Sequence, residues 1–148
     1  MSISSRLAQG IVTHSADEAR TVAEEFARTL KADSVLALHG NLGVGKTTFV
    51  QGLARGLGVH ESVTSPTFNI FTLHRGTVFT LVHLDAYRLE SGQQIEALML
   101  DDFLTSPYCL AVEWPERIAA WLPTDAIHLD LSIVEAGIHR IQVRPSSA

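Results

Sequence analysis

The run Gly40-Asn41-Leu42-Gly43-Val44-Gly45-Lys46-Thr47-Thr48 has the make-up of a loop that holds a polyphosphate. It satisfies the spacing G-x-x-x-x-G-K-[ST]. The glycines let successive backbone N–H groups curl around an anion, where a side chain would clash or forbid the dihedrals. Lys46 adds a positive charge within reach of the β- and γ-phosphates, and the Thr47 hydroxyl can ligate Mg²⁺. Lys31 is the one other lysine in a chain that otherwise uses arginine. A lysine here therefore fits a need for a compact point charge. Asn41, Leu42, Gly43, Val44, Gly45, Lys46, Thr47 and Thr48 are the expected contacts to a nucleotide and its metal.

Such a loop needs acids, because Mg²⁺ takes oxygen ligands and the attacking water must be oriented. Two apolar runs end on a carboxylate. Leu81-Val82-His83-Leu84 delivers Asp85, and Leu110-Ala111-Val112 delivers Glu113. An ionised group after a buried run is costly unless it meets a cation or a donor. The residues alone do not decide which acid holds the metal.

The flanking elements must position these groups. Val35-Leu36-Ala37-Leu38 reads as a buried strand before the loop, and Phe49, Val50, Leu53, Ala54 and Leu57 recur at helical spacing after it, with Gly58 as the stop. Ile11-Val12-Thr13 is a short strand. Ser15 begins a helix with Glu18 completing a capping box, and Ala19, Val22, Ala23, Phe26, Ala27 and Leu30 form its apolar face. The spacing predicts strands at 68–74 and 77–84, antiparallel around a tight Arg75-Gly76 turn. It predicts a helix from Gln93 to Leu104, a strand from Cys109 to Val112 broken by Trp114-Pro115-Glu116, and a final hairpin of 127–133 and 138–143 turning at Gly137. The expected fold is α/β: a P-loop NTPase-like mixed β-sheet flanked by helices, with antiparallel hairpins including a C-terminal one.

The length of 148 residues is expected to make one domain, 1–148, and 46% hydrophobic content is ordinary for a globular protein. No apolar run is long enough to span a membrane, and MSISSRLAQG lacks the apolar stretch of a signal peptide. Cys109, the single cysteine, lies in an apolar run and excludes an internal disulfide. These features point to the cytoplasm. A net charge of −5 without a basic cluster argues against this chain alone gripping a nucleic acid backbone.

The set GNLGVGKTT at 40–48, SPTF at 65–68, HLDAYRL at 83–89 and EWPE at 113–116, in this order, resembles the TsaE (YjeE) family of bacterial ATPases. The resemblance covers nearly the whole chain. The loop is shared by many families; the EWP triplet and the H-x-D-x-Y-R segment are far more specific. Phe68 stands where the family commonly has tyrosine, and Val44 where it commonly has alanine. The resemblance implies ATP as the nucleotide and work in making threonylcarbamoyladenosine on tRNAs that read codons starting with A. It implies TsaD-like and TsaB-like partners, with tRNA met only through them. It also implies that Glu113 takes Mg²⁺ with Thr47, and that Asp85 and Lys46 serve hydrolysis. Adenine is expected near Thr13–Ala16 and the Gly137 turn, and the absence of an N-K-x-D element disfavours a GTPase.

Other residues carry a functional and a plainer reading. Thr64-Ser65-Pro66-Thr67 resembles a γ-phosphate-sensing switch or is a turn set by Pro66. Trp114 packs in the core, or else faces a partner or senses the nucleotide. His83 is expected to be hydrogen-bonded in the core, and Arg88 to pair with a local acid. The seven histidines show no H-x-x-x-H metal spacing. Two alternatives to an ATPase remain. A small-molecule kinase is weakened by the short chain and the lack of an arginine-rich lid. In a nucleotide-dependent binding module, hydrolysis would be incidental.

Overall fold

In chain order the elements are α1 (Ile3–Gln9), β1 (Ile11–Thr13), α2 (Ala16–Ala27), β2 (Ser34–His39), α3 (Lys46–Gly56), β3 (Phe71–His74), β4 (Thr80–Asp85), α4 (Gly92–Ala97), β5 (Tyr108–Glu113), β6 (Ile127–Glu135) and β7 (Ile138–Val143). Short 3₁₀ turns occupy Leu100–Phe103 and Pro115–Ile118. The computed structural model describes residues 1–66 and 70–145. The seven strands form one mixed sheet, ordered β1-β7-β6-β2-β5-β4-β3. Its centre, β6-β2-β5-β4, is parallel, and β3, β7 and β1 are added antiparallel at the edges. The expected α/β class and the antiparallel C-terminal hairpin are both present.

Strand alternation sorts the core into two layers. Leu36, Leu38, Leu81, Cys109, Ala111 and Leu129 pack on the side covered by α2 and α3. Val35, Val82, Leu84, Leu110 and Val112 pack on the other side, with Ile95 of α4 and Ile118 of the second 3₁₀ turn. Burial on both faces explains why β2, β4 and β5 read as continuous apolar runs. Burial also pushes the Cys109 thiol up to about 12, which keeps it inert.

α2 starts as expected, with the Ser15 hydroxyl accepting from Glu18 N at 3.1 Å. The return bond of the box goes one residue further out, from His14 N to Glu18 Oε1 at 3.3 Å. α3 lies close against α2 because two of its residues have no side chain. A Cβ on Gly52 would lie 2.3 Å from Arg20 O, and one on Gly56 would lie 2.6 Å from Ala27 Cβ. In an exposed helix Gly→Ala stabilises by about 1 kcal/mol. Here Gly52→Ala is expected to destabilise by about 1–3 kcal/mol through overpacking. A urea midpoint that stays put or rises would refute the close-packing account.

Three local expectations change. The tight Arg75-Gly76 turn becomes a longer connection, and β4 begins at Thr80 rather than Thr77. The reason is a competing pairing: Thr77 N donates to Gly58 O and Val78 N to Leu57 O, tying this connection to the end of α3. The predicted 93–104 helix is broken at Met99, whose φ of +56° no α-helix continues. α1 was not anticipated; only Ile3 and Leu7 among its residues pack inward, too few to show a period. Phe68 and the start of the predicted 68–74 strand lie outside the described residues. Among the described residues no helix is long and apolar enough to cross a membrane.

Candidate functional site

The glycine loop joins the carboxyl end of β2 to the first turn of α3. Gly43 and Gly45 adopt φ of +87° and +93°, the left-handed region that excludes most side chains. Gly40 is required for a different reason. A Cβ there would meet Val44 Cγ2 at 2.5 Å and Leu131 O at 2.6 Å. Gly45 is the N-cap of α3 and no side chain caps this end, so the first N–H groups of the helix stay open to an external acceptor. Asn41, Leu42 and Gly43 are exposed, Val44 is buried, and Thr48 is half-buried.

Lys46 is only 5% exposed. Its ammonium donates to Gly40 O at 2.6 Å and lies 3.5 Å from the centre of the Trp114 ring. Burial lowers its pKa from the ordinary lysine value, against the opposing pull of Glu113, Glu116 and Asp85. Among the described residues one carbonyl and one aromatic face are its partners, fewer than its three donors can use, a state that suits an incoming anion. Trp114 holds its place with φ of +57°, a conformation that costs a bulky residue about 1–3 kcal/mol. It both packs in the second core layer and touches the loop lysine, and Tyr87 meets it in a tilted arrangement with ring centres 5.0 Å apart.

The two acids meet because β4 and β5 are neighbours. Asp85 is paired directly with Glu113, at the carboxyl ends of parallel strands. Alternation puts both on the face of Leu81, Cys109 and Ala111, which is the α3 side. Glu113 is 5% exposed, and its Oε2 accepts from the Thr47 hydroxyl at 3.2 Å. Donating that proton leaves the lone pairs of Thr47 available to a cation. Asp85 accepts from Tyr87 N at 2.9 Å and, at the 3.5 Å limit, from the Ser65 hydroxyl. Val63 O accepts from Gln51 at 3.0 Å, so the 63–65 segment is tied both to α3 and to Asp85. Thr67, the last residue of the switch-like segment, lies outside the described residues. Among the described residues no three His, Cys, Asp or Glu side chains gather around one point. The hydroxyl and carboxylate oxygens of Thr47 and Glu113 are hard donors that fit Mg²⁺ when a ligand's phosphate and water complete the shell.

Beside the loop, on the side away from the acids, is a largely apolar cavity of about 230 Å³. Thr13, Ala16, Ala19, Val44, Thr48 and Ile141 are among its walls. Sheet order brings them together. β6 runs parallel to β2, so its Gly137 turn falls beside the loop, and Thr13 of β1 pairs with His139 of β7. The His139 Nδ1–H donates to Val44 O at 2.9 Å and steadies the loop. Thr13 Oγ1 is buried with no partner among the described residues.

The structure therefore brings together Lys46, Thr47, Glu113 and Asp85 as a group, with the rest of the loop around Lys46. His83, Trp114 and His139 also touch this group; the nucleotide-sensing reading of Trp114 anticipated a place near the loop, whereas the contacts of His83 and His139 were not foreseen. For His83 the signal was present, since a residue two before Asp85 in a strand shares its face. Nothing local marked His139. Arg88 is exposed and makes no ion pair among the described residues, contrary to expectation.

A family model described as "Threonylcarbamoyl adenosine biosynthesis protein TsaE" matches residues 13–141. Several proteins described as "tRNA threonylcarbamoyladenosine biosynthesis protein TsaE" are similar over most of the chain. That of Treponema pallidum is 36% identical over 132 residues, 89% of this chain and 97% of its own. That of Rickettsia bellii is 37% identical over 125 residues, covering 84% and 86%. That of Streptomyces coelicolor is 43% identical over 113 residues, covering 74% and 76%. The crystal structure of Bacillus subtilis YdiB matches with a TM-score of 0.74 at 32% identity, covering 89% of this chain and 81% of that one.

Proposed function

The chain belongs to the TsaE family of tRNA threonylcarbamoyladenosine biosynthesis proteins, and from that premise we propose that it is a Mg²⁺-dependent ATPase working as one unit over residues 1–148. It energises or resets a cytoplasmic complex of TsaB-like and TsaD-like proteins and meets tRNA only through them. The observation that carries the reading is the 3.2 Å hydrogen bond between Thr47 and Glu113, with Asp85 beside Glu113 in the paired strands.

In this reading the open N–H groups of α3 and the glycine loop hold the β- and γ-phosphates, and Lys46 leaves the Trp114 face to neutralise them. Thr47 and Glu113 hold Mg²⁺, which supplies charge neutralisation on the phosphate oxygens when bound. Asp85 orients the attacking water or accepts its proton. Phosphoryl transfer asks mainly for such positioning and charge stabilisation.

The cavity beside Val44 and Thr48 takes the adenine, and the unpartnered Thr13 hydroxyl offers it a hydrogen bond. Thr13→Val supports a sharp check, because its two effects have opposite signs. An unmet buried hydroxyl costs about 1–3 kcal/mol, so the nucleotide-free protein should become as stable or more stable. ATP affinity should fall by about 3- to 10-fold, the worth of one neutral hydrogen bond. Calorimetric titration showing unchanged affinity would remove Thr13 from the base site.

The experiment that tests the function is reconstitution with the TsaB-like and TsaD-like partners, counting phosphate released and threonylcarbamoyladenosine formed. Phosphate should appear without any organic acceptor, rise when partners are added, and accompany repeated rounds of modification. A phosphorylated metabolite would point to a kinase. An Asp85→Asn chain that binds ATP, fails to hydrolyse it and still supports repeated rounds would point to a binding module.

A further inference from the structure

His83 is 0% exposed and lies beside Ala111, two positions before Asp85 on the same face of β4. Its Nε2 is 2.5 Å from Glu113 Oε2. An imidazole nitrogen this close to a carboxylate oxygen carries the proton and donates it. Thr47 donates to the same oxygen, so Oε2 is committed twice. Oε1 accepts from no described residue, yet it is not among the buried atoms sealed off without a partner. Among the described residues it is therefore the carboxylate oxygen that no donor occupies. His83 Nδ1, by contrast, is sealed and unpartnered among the described residues. An unmet buried ring nitrogen is destabilising. An apolar side chain would fill the space without that penalty, so packing alone does not account for a histidine here.

We propose that His83 is a positioning residue for the cation site: its Nε2–H pins Glu113 Oε2 and leaves Oε1 as the carboxylate oxygen presented to Mg²⁺. This rests on the assignment of Glu113 to the cation made above. Groups that orient a metal ligand without touching the metal commonly govern its affinity by about 10- to 100-fold. His83 acts in that way, through Glu113, and the shared strand face that delivers Asp85 also delivers its pin.

The test titrates Mg²⁺ against binding of a fluorescent ATP analogue in the wild type, His83→Asn, His83→Gln and Glu113→Gln, with affinity in EDTA read alongside. The shorter Asn amide falls short of Glu113. His83→Asn is expected to raise the Mg²⁺ concentration needed for half-saturation by about 10- to 100-fold, with the EDTA affinity unchanged. The Gln amide reaches the place of Nε2, so His83→Gln should recover most of the loss. Mn²⁺ bound with ADP, counted by electron paramagnetic resonance, should rank the variants in the same order without any turnover. A wild-type Mg²⁺ requirement in His83→Asn, with a raised one in Glu113→Gln, overturns the proposal and leaves the cation assignment standing. A wild-type requirement in both overturns the cation assignment and the proposal with it. An equal loss in EDTA and in Mg²⁺ makes His83 a packing residue and also overturns it. If His83→Asn does not fold, His83→Phe replaces it under the same criteria.

Discussion

Lys46→Ala is expected to lower ATP turnover by at least about 100-fold and to weaken nucleotide binding along with it. The argument is one of charge in a dry niche. Lys46 is 5% exposed, so its ammonium meets a phosphate with little water to screen it. Each 1.36 kcal/mol lost is a factor of ten in rate, and removing one preorganised donor from a developing anionic charge costs about 2.7–4 kcal/mol. The nucleotide-free protein should feel the change less, because Lys46 rests there on a single carbonyl and on the Trp114 ring. Removing the ammonium should also alter Trp114 emission before any ligand is added, a signal that Trp121 dilutes but does not abolish. Phosphate release and calorimetric titration check the main effect. Hydrolysis and affinity at wild-type levels in Lys46→Ala would refute the phosphate-loop assignment.

The second large effect separates the two acids. Asp85→Asn should reduce turnover by about 10²- to 10⁴-fold, the span typical of a lost general base, while ATP and Mg²⁺ still bind. Glu113→Gln should act on the metal first, raising the Mg²⁺ needed for half-maximal binding well above the value for Asp85→Asn. The contrast follows from what each carboxylate touches. Glu113 is bonded to the Thr47 hydroxyl, whereas Asp85 reaches the backbone N–H of Tyr87 and the Ser65 hydroxyl. Asp85 therefore faces the segment that resembles a γ-phosphate-sensing switch, and Glu113 faces the hydroxyl proposed to ligate the metal. A Mg²⁺ titration with the reverse order would exchange the two roles.

Side chains on the two arms of the site depend on one another. The ring that holds Lys46 belongs to the residue directly after Glu113, and the histidine that pins Glu113 is two residues before Asp85. A substitution at any of these positions is therefore expected to be non-additive with one at another, since they share partners.

Much of this was legible in the sequence because it is local. A glycine loop declares itself by spacing, since the positive dihedrals at Gly43 and Gly45 and the close approach at Gly40 leave few alternatives. Burial on both faces writes β2, β4 and β5 as continuous apolar runs, and the carboxylate ending a run stands out against them. The Ser15 cap and the Gly58 stop are equally local. Which strands become neighbours was not written in that way. Asp85 and Glu113 stand 28 positions apart in the chain, and only the β4–β5 pairing sets them side by side. Thr13 and His139 come from opposite ends and meet beside Val44 because β7 carries β1 along the far edge.

The same physics explains the misses. The Arg75-Gly76 turn was overridden by hydrogen bonds to Leu57 and Gly58, and the 93–104 helix by a left-handed Met99. Side-chain type and short spacing thus determined that this chain has a glycine loop of the G-x-x-x-x-G-K-[ST] form, two strand-end acids and an α/β order of elements. The tertiary structure alone decided that His83 holds Glu113, that Trp114 holds Lys46 and that an apolar cavity opens beside the loop. Periodicity records how a segment is buried, whereas pairing is settled by packing the whole sheet, where contacts distant in sequence decide among arrangements that are locally equivalent.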